Sequence, residues 1–163
     1  SGGGLQQQTT GNRFDSLSPT FSPDGRQIAF ESNRLGQPHI YVMQVGGTPR
    51  LVSEYVYGSP GYNTSPDWSP RGSLLAYHSR VRGVHQIVMV DLEKGTRRLL
   101  TNEGNNEDPS WAPDSRHVVF VSNRSGRGQL WVYDLESGRS RQLVTPGAIR
   151  LPAWSPRLAG NNP

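Results

Sequence analysis

Pro66-Asp67-Trp68-Ser69-Pro70-Arg71-Gly72 is one of four copies of a single phrase in this chain. The others are Pro19-Thr20-Phe21-Ser22-Pro23-Asp24-Gly25, Pro109-Ser110-Trp111-Ala112-Pro113-Asp114-Ser115 and the shorter Pro152-Ala153-Trp154-Ser155-Pro156. Their aromatic residues lie 47, 43 and 43 positions apart. The first Pro lacks a ladder donor and fits just before an inner strand, while the second presets φ at a turn. The phrase therefore reads as a strand running into a tight turn.

Each copy is followed by the same series of short segments. An alternating strand comes first: Ile28-Ala29-Phe30, Leu74-Leu75-Ala76-Tyr77 and Val118-Val119-Phe120-Val121. A polar loop follows, as Ser32-Asn33-Arg34-Leu35-Gly36, Ser79-Arg80-Val81-Arg82-Gly83 and Ser122-Asn123-Arg124-Ser125-Gly126. A third strand follows at His39–Met43, Gln86–Val90 and Gln129–Tyr133, then a Gly-containing turn and a short fourth strand. Period-two alternation rich in β-branched and aromatic residues marks strands, and the Gly and Asp between them mark hairpin turns. No helical apolar stripe interrupts the pattern. Gly (19) and Pro (13) are abundant among the 163 residues, which favours many short strands.

Four antiparallel strands repeated every 40–45 residues or so make an all-β protein of β-propeller blades. The spacing predicts three full blades at about 19–52, 66–100 and 109–144, with flanking strands at 5–9 and 151–155. Residues 1–4 read as a flexible end and 159–163 as a tail around a blade region of 5–158. The expected core is Phe21, Phe30, Tyr41, Trp68, Tyr77, Trp111, Phe120, Trp131 and Trp154. Three blades leave two open apolar ends, so self-association is expected.

The Pro-x-Trp-Ser-Pro-Asp-Gly opening, the Ser-Asn-Arg-x-Gly loop and Ile40-Tyr41-Val42-Met43 together resemble the TolB-like (WD-like) propeller repeat family. The ending Leu151-Pro152-Ala153-Trp154-Ser155-Pro156 is similar to the close of that family's ring. The resemblance implies half of a six-bladed propeller in the periplasm or otherwise secreted. It also implies binding of a Pal-like lipoprotein and a place in the Tol–Pal envelope system. The family's N-terminal α/β domain has no counterpart in this sequence. Two other readings remain open: the propeller domain of a peptidase, and a self-assembling structural repeat.

Catalytic signatures are missing. There is no Gly-x-Ser-x-Gly, no Gly-x-x-x-x-Gly-Lys and no His-Glu-x-x-His. No enzyme, cofactor or metal site is expected. Cys is absent, which excludes thiolate catalysis and disulfides. The basic excess, +4, is dispersed, with Lys94 the only Lys among 17 basic residues, so nucleic acid is not an expected partner. No hydrophobic stretch approaches the ~20 residues of a membrane helix, and membrane insertion is not expected.

Blade topology puts the loops between second and third strands on one face, with the connections between blades. That face gathers Arg34, Arg80, Arg82, Arg124 and Arg127, together with Tyr57 and Tyr62. Tyr and Arg are enriched at binding hot spots, and loops on rigid scaffolds commonly carry function. These seven residues are the candidate protein-binding site. The acidic loop holding Glu103, Glu107 and Asp108 reads as solvated acid rather than a cation site.

Overall fold

The computed structural model describes residues 6–9, 13–54, 61–143 and 147–155. Its secondary structure is all β, in three sheets of four antiparallel strands. Blade 1 comprises β1 (Ser16–Phe21), β2 (Gln27–Ser32), β3 (His39–Gln44) and β4 (Arg50–Leu51). Blade 2 comprises β5 (Asn63–Trp68), β6 (Leu74–Val81), β7 (Val84–Asp91) and β8 (Thr96–Leu99). Blade 3 comprises β9 (Asn106–Trp111), β10 (His117–Ser122), β11 (Gln129–Asp134) and β12 (Arg139–Leu143).

Each inner strand starts ahead of the Pro that opens the repeated phrase. A bulge makes this possible. Between Leu17 and Thr20, the register of β1 against β2 slips, and the same slip recurs in blades 2 and 3. The residue before each Pro takes a left-handed backbone, with φ 50° at Ser18, 53° at Ser65, 53° at Asp108 and 50° at Leu151. The Pro then sits at a bulge, where its missing N–H costs no ladder bond.

The core lies between blades. Ala29, Ile40, Val42 and Val52 on the rear of blade 1 pack against Trp68, Leu75, Tyr77 and Val90 on the front of blade 2. Ala76, Ile87 and Leu100 on the rear of blade 2 meet Trp111, Val118, Phe120 and Tyr133 of blade 3. Small aliphatic residues on each rear face thus receive rings from the next front face. Phe30 and Tyr41 are buried too, on the front of blade 1 with Ile28 and Met43.

Two expected core residues are not buried. Phe21 is 60% exposed and Trp154 is 39% exposed. Both carry the repeated motif, but among the described residues Phe21 has no blade opposite it, and Trp154, which lies against blade 3, has no sheet of its own around it. Trp131 is half-buried, beneath Arg124. The flanking segments make no ladder: 6–9 and 152–155 hold no strand, and Leu5 lies outside the described residues. Even so, Leu151-Pro152-Ala153 takes the place of an inner strand. It lines one cavity of about 340 Å³ together with Ser18-Pro19-Thr20, Ser65-Pro66-Asp67 and Asp108-Pro109-Ser110.

Candidate functional site

The Ser-Asn-Arg-x-Gly loop explains itself in blades 1 and 3. Asn33 Oδ1 accepts the N–H of Asp15 at 2.8 Å, and Asn123 Oδ1 accepts that of Asn105 at 2.8 Å. The Asn thereby ties the loop to the entering chain. Gly36 and Gly126, at positive φ, close the turn onto the Asn carbonyls. The Arg folds back over its own blade. Arg34 lies 4.5 Å from the Tyr41 ring centroid and 4.7 Å from that of Phe14. Arg124 lies 4.4 Å from the Trp131 centroid and donates to Ser122 Oγ and Asn106 Oδ1. Both Arg side chains therefore act first as cation–π covers for their blades.

Blade 2 departs from this pattern. Val81 pairs with Val84, so Arg82-Gly83 is a two-residue turn with φ 50° and 89°, the geometry of a type I′ hairpin. No aromatic cover forms, and Arg80 and Arg82 are exposed. The Arg80 N–H donates to the Tyr62 carbonyl at 2.9 Å, which brings Tyr62, Arg80 and Arg82 to one edge. Arg127 is exposed on the neighbouring hairpin of blade 3. Tyr57 lies outside the described residues.

Charge is distributed unevenly between the two faces. On the face of tight turns, Lys94 pairs with Asp91 at 3.4 Å, and Arg116 pairs with Asp134 at 2.7 Å and also with Glu136. On the loop face, no ion pair to Arg80, Arg82 or Arg127 is found among the described residues; the one contact of that class there joins His85 to Glu107 at 2.7 Å. Sequence reading singled out none of the histidines, yet His78, His85 and Tyr62 form a ring ladder. Centroids are 5.0 Å apart for His78–His85 and 5.3 Å for Tyr62–His85. The signal was weak, because His85 meets Glu107 only across a blade boundary.

His78 and Thr64 invite a catalytic reading, since Thr64 Oγ1 is 2.6 Å from His78 Nε2. The proton positions contradict it. The Asp108 backbone N–H donates to His78 Nδ1, so the neutral ring carries its proton on Nε2 and donates it to Thr64. A general base needs the opposite tautomer. Burial and the neighbouring His85 hold the His78 pKa down to about 4. The buried pair of His39 and Ser53 has a plain structural counterpart in blade 2. There Gln86 and Thr101 hold the same positions, and Thr101 Oγ1 accepts the Ile87 N–H just as Ser53 Oγ accepts that of Ile40.

The acids are likewise occupied. Asp67 Oδ2 accepts the Trp111 N–H at 2.6 Å, and burial raises its pKa. Asp108 takes bonds from Ser65 Oγ and the Leu151 N–H. Burial opposes charge on Glu107, but hydrogen bonds from His85 and Asn105 outweigh it and lower its pKa. No group of three potential metal ligands converges among the described residues.

Fold and site thus define a bladed β-propeller segment with an arginine- and tyrosine-bearing loop face. The chain belongs to the TolB beta propeller domain family, whose model matches residues 1–158. It is 48% identical over 61 residues to the Tol-Pal system protein TolB of Alcanivorax borkumensis, an alignment covering 37% of this chain and 13% of that protein. The crystal structure of TolB from Acinetobacter baumannii superposes with a TM-score of 0.71 at 28% identity, covering 83% of this chain and 34% of that one. A puromycin-hydrolyzing peptidase of Mycobacterium tuberculosis shares the fold alone, with a TM-score of 0.66 at 20% identity, covering 86% of this chain and 23% of that one. The chain spans only a minor part of each of these proteins.

Proposed function

We propose that this chain is a protein-binding, non-enzymatic propeller segment of a Tol–Pal envelope system, acting in the periplasm. A Pal-like lipoprotein docks on its loop face. The observation that carries the reading is the exposed set Arg80, Arg82, Arg127 and Tyr62, whose guanidinium groups have no acidic partner among the described residues. Unpaired cations on a rigid face favour a partner with a complementary acidic surface. The wrong tautomer of His78 beside Thr64 supports a binding role over a hydrolytic one.

The test is titration calorimetry of the full chain with a Pal-like lipoprotein expressed without its lipid. Saturable binding that weakens with salt, and weakens further in Arg80→Glu/Arg82→Glu, is expected. Absence of binding, or binding indifferent to that charge reversal, overturns the reading.

Self-association through the blade ends belongs to the same reading. Leu17 (56% exposed) and Phe21 at one end, and Leu151 (76%) and Trp154 at the other, support it. Sedimentation velocity over a concentration series measures it directly.

A further inference from the structure

Tyr62 stands at a repeat position that the neighbouring blades tether in another way. Asp15 and Asn105 hold that position, just ahead of the pairs Ser16–Ser32 and Asn106–Ser122. The backbone N–H of each donates to the Asn of the following polar loop, Asn33 or Asn123. Blade 2 lacks that acceptor. Arg80 follows Ser79 where the Asn would stand, and a guanidinium only donates. The bond from the Arg80 N–H to the Tyr62 carbonyl remains.

A ring contact takes over the missing tether. The Tyr62 and His85 rings stack with centroids 5.3 Å apart and planes 18° from parallel. His85 pairs with Arg80 on β6, and Pro38 and Gly128 hold its repeat position in blades 1 and 3, where neither offers an aromatic ring. His85 is itself fixed from blade 3. Its backbone N–H donates to Asn105 Oδ1 at 2.9 Å, and its Nδ1 lies 2.7 Å from Glu107 Oε1. A carboxylate only accepts, so Nδ1–H is the donor. Glu107 takes a second bond from Asn105 Nδ2 at 2.6 Å, and Asn105 is held in turn by Asn123. The supported ring faces outward in part. Tyr62 is 38% exposed beside the exposed Arg80, and it lines a cavity of about 210 Å³ with Leu17, Glu31, Asn33 and Thr64. A surface side chain ordinarily loses rotamer freedom when a partner binds, a cost that a ring already held does not incur.

We propose that His85 is a positioning residue of the loop-face site, holding the Tyr62 ring in the orientation that a partner protein meets. This rests on the loop-face reading above and names what orders its exposed aromatic. His85 acts through Tyr62 and not by touching the partner.

Titration calorimetry of the full chain with the lipid-free Pal-like lipoprotein tests this, in a cycle of His85→Ala, Tyr62→Ala and the double variant. Urea unfolding verifies that each variant is folded under the assay conditions. His85→Ala is expected to weaken binding about three- to tenfold. In the Tyr62→Ala background the same change is expected to shift the dissociation constant by less than about twofold, because the residue it acts through is gone. His85→Phe keeps a ring against Tyr62 and is expected to restore most of the affinity. His85→Gln keeps a hydrogen-bonding side chain for Glu107 without a ring, and is expected to restore little. A role confined to joining blades 2 and 3 predicts the reverse order for these two. Binding by wild type that His85→Ala leaves unchanged, or losses that simply add in the double variant, overturns the positioning role while the loop-face reading stands. If wild type does not bind, both fall.

Discussion

The backbone N–H of Asp108 donates to His78 Nδ1 at 3.2 Å, and so couples the left-handed bulge of blade 3 to a buried imidazole of blade 2. Blade 1 makes the equivalent bond with a different side chain. There Glu31 Oε2, at the repeat position of His78, accepts the Ser65 N–H at 3.2 Å. Blade 3 carries Val121 at that position, which cannot accept, and Asp108 itself takes the Leu151 N–H instead. One backbone requirement, an acceptor for the bulge N–H, is met by three different residues.

Coupling through His78 makes stability pH-dependent. Its folded pKa, about 4, lies below the ordinary 6.5 because burial and His85 disfavour the charged ring. The unfolded chain therefore binds a proton that the folded chain refuses, and stability falls as pH drops from 6.5 toward 4. The full difference is roughly 3 kcal/mol. Asp67, raised by burial, works in the opposite sense, since its contribution is present at low pH and is lost as pH rises through the carboxylate range. His78→Gln can accept from Asp108 and donate to Thr64 without titrating. Urea midpoints between pH 4 and 7 should therefore slope less steeply in this variant than in wild type. His39, also lowered by burial, preserves a residual slope. Equal slopes would show that His78 does not titrate in this window.

The repeated aromatic offers an internal comparison. Trp111 is buried between blades 2 and 3, whereas Phe21, at the same motif position, is mostly exposed. Trp111→Ala is expected to cost ~3–5 kcal/mol by leaving a cavity. Phe21→Ala is expected to cost under about 1 kcal/mol, in line with a surface change. Denaturant unfolding of the two variants side by side measures both. Similar losses would contradict the assignment of blade 1 as the open end.

This pair also shows where sequence reading stops. The blades were legible because the Pro-x-aromatic-Ser/Ala-Pro phrase and its period are local properties. Burial of its aromatic is not local, since it depends on whether another blade stands opposite. Phe21, expected inside, is 60% exposed with no blade opposite it among the described residues, and Trp154, also expected inside, is 39% exposed because no sheet of its own surrounds it. The arginines divide in the same way. Arg34 and Arg124 follow an aromatic by four residues and fold back onto it, a spacing visible in the sequence. Arg82 sits in a hairpin two residues long and has no ring beneath it. The contact of His85 with Glu107 joins residues 22 apart on different blades, and no motif announces it.

The arginines should separate experimentally. Arg124→Ala removes the cover over Trp131 and Phe120 and the bonds to Ser122 and Asn106, so a loss of ~1–3 kcal/mol is expected. Arg82→Glu should move the unfolding midpoint by no more than about 0.5 kcal/mol while weakening any salt-dependent partner binding. A stable Arg124→Ala, or a strongly destabilised Arg82→Glu, would reverse the roles given to these two side chains.

Gly104 tests the connection between blades 2 and 3. Its φ is +70°, and an added Cβ would stand 2.9 Å from Arg124 Cβ and 3.0 Å from the Arg124 backbone N. Backbone atoms cannot swing aside as a flexible side chain can, so either the connection or the Arg124 turn must move. The Gly104 carbonyl also accepts from Gln86 Nε2 at 2.8 Å, which ties the same peptide to blade 2. Gly104→Ala thus combines left-handed strain of ~1–2 kcal/mol with a steric clash. Gly83, at φ +89° in the Arg82 hairpin, has open space around its Cα and supplies the control, because Gly83→Ala carries the strain without the clash. The Gly104 variant should unfold at clearly lower denaturant than the Gly83 variant, and its loss should persist in an Arg124→Ala background, because alanine keeps the Cβ and backbone atoms that crowd the site. Equal midpoints for the two glycine variants would mean that the approach of Gly104 to Arg124 is looser than the structure places it.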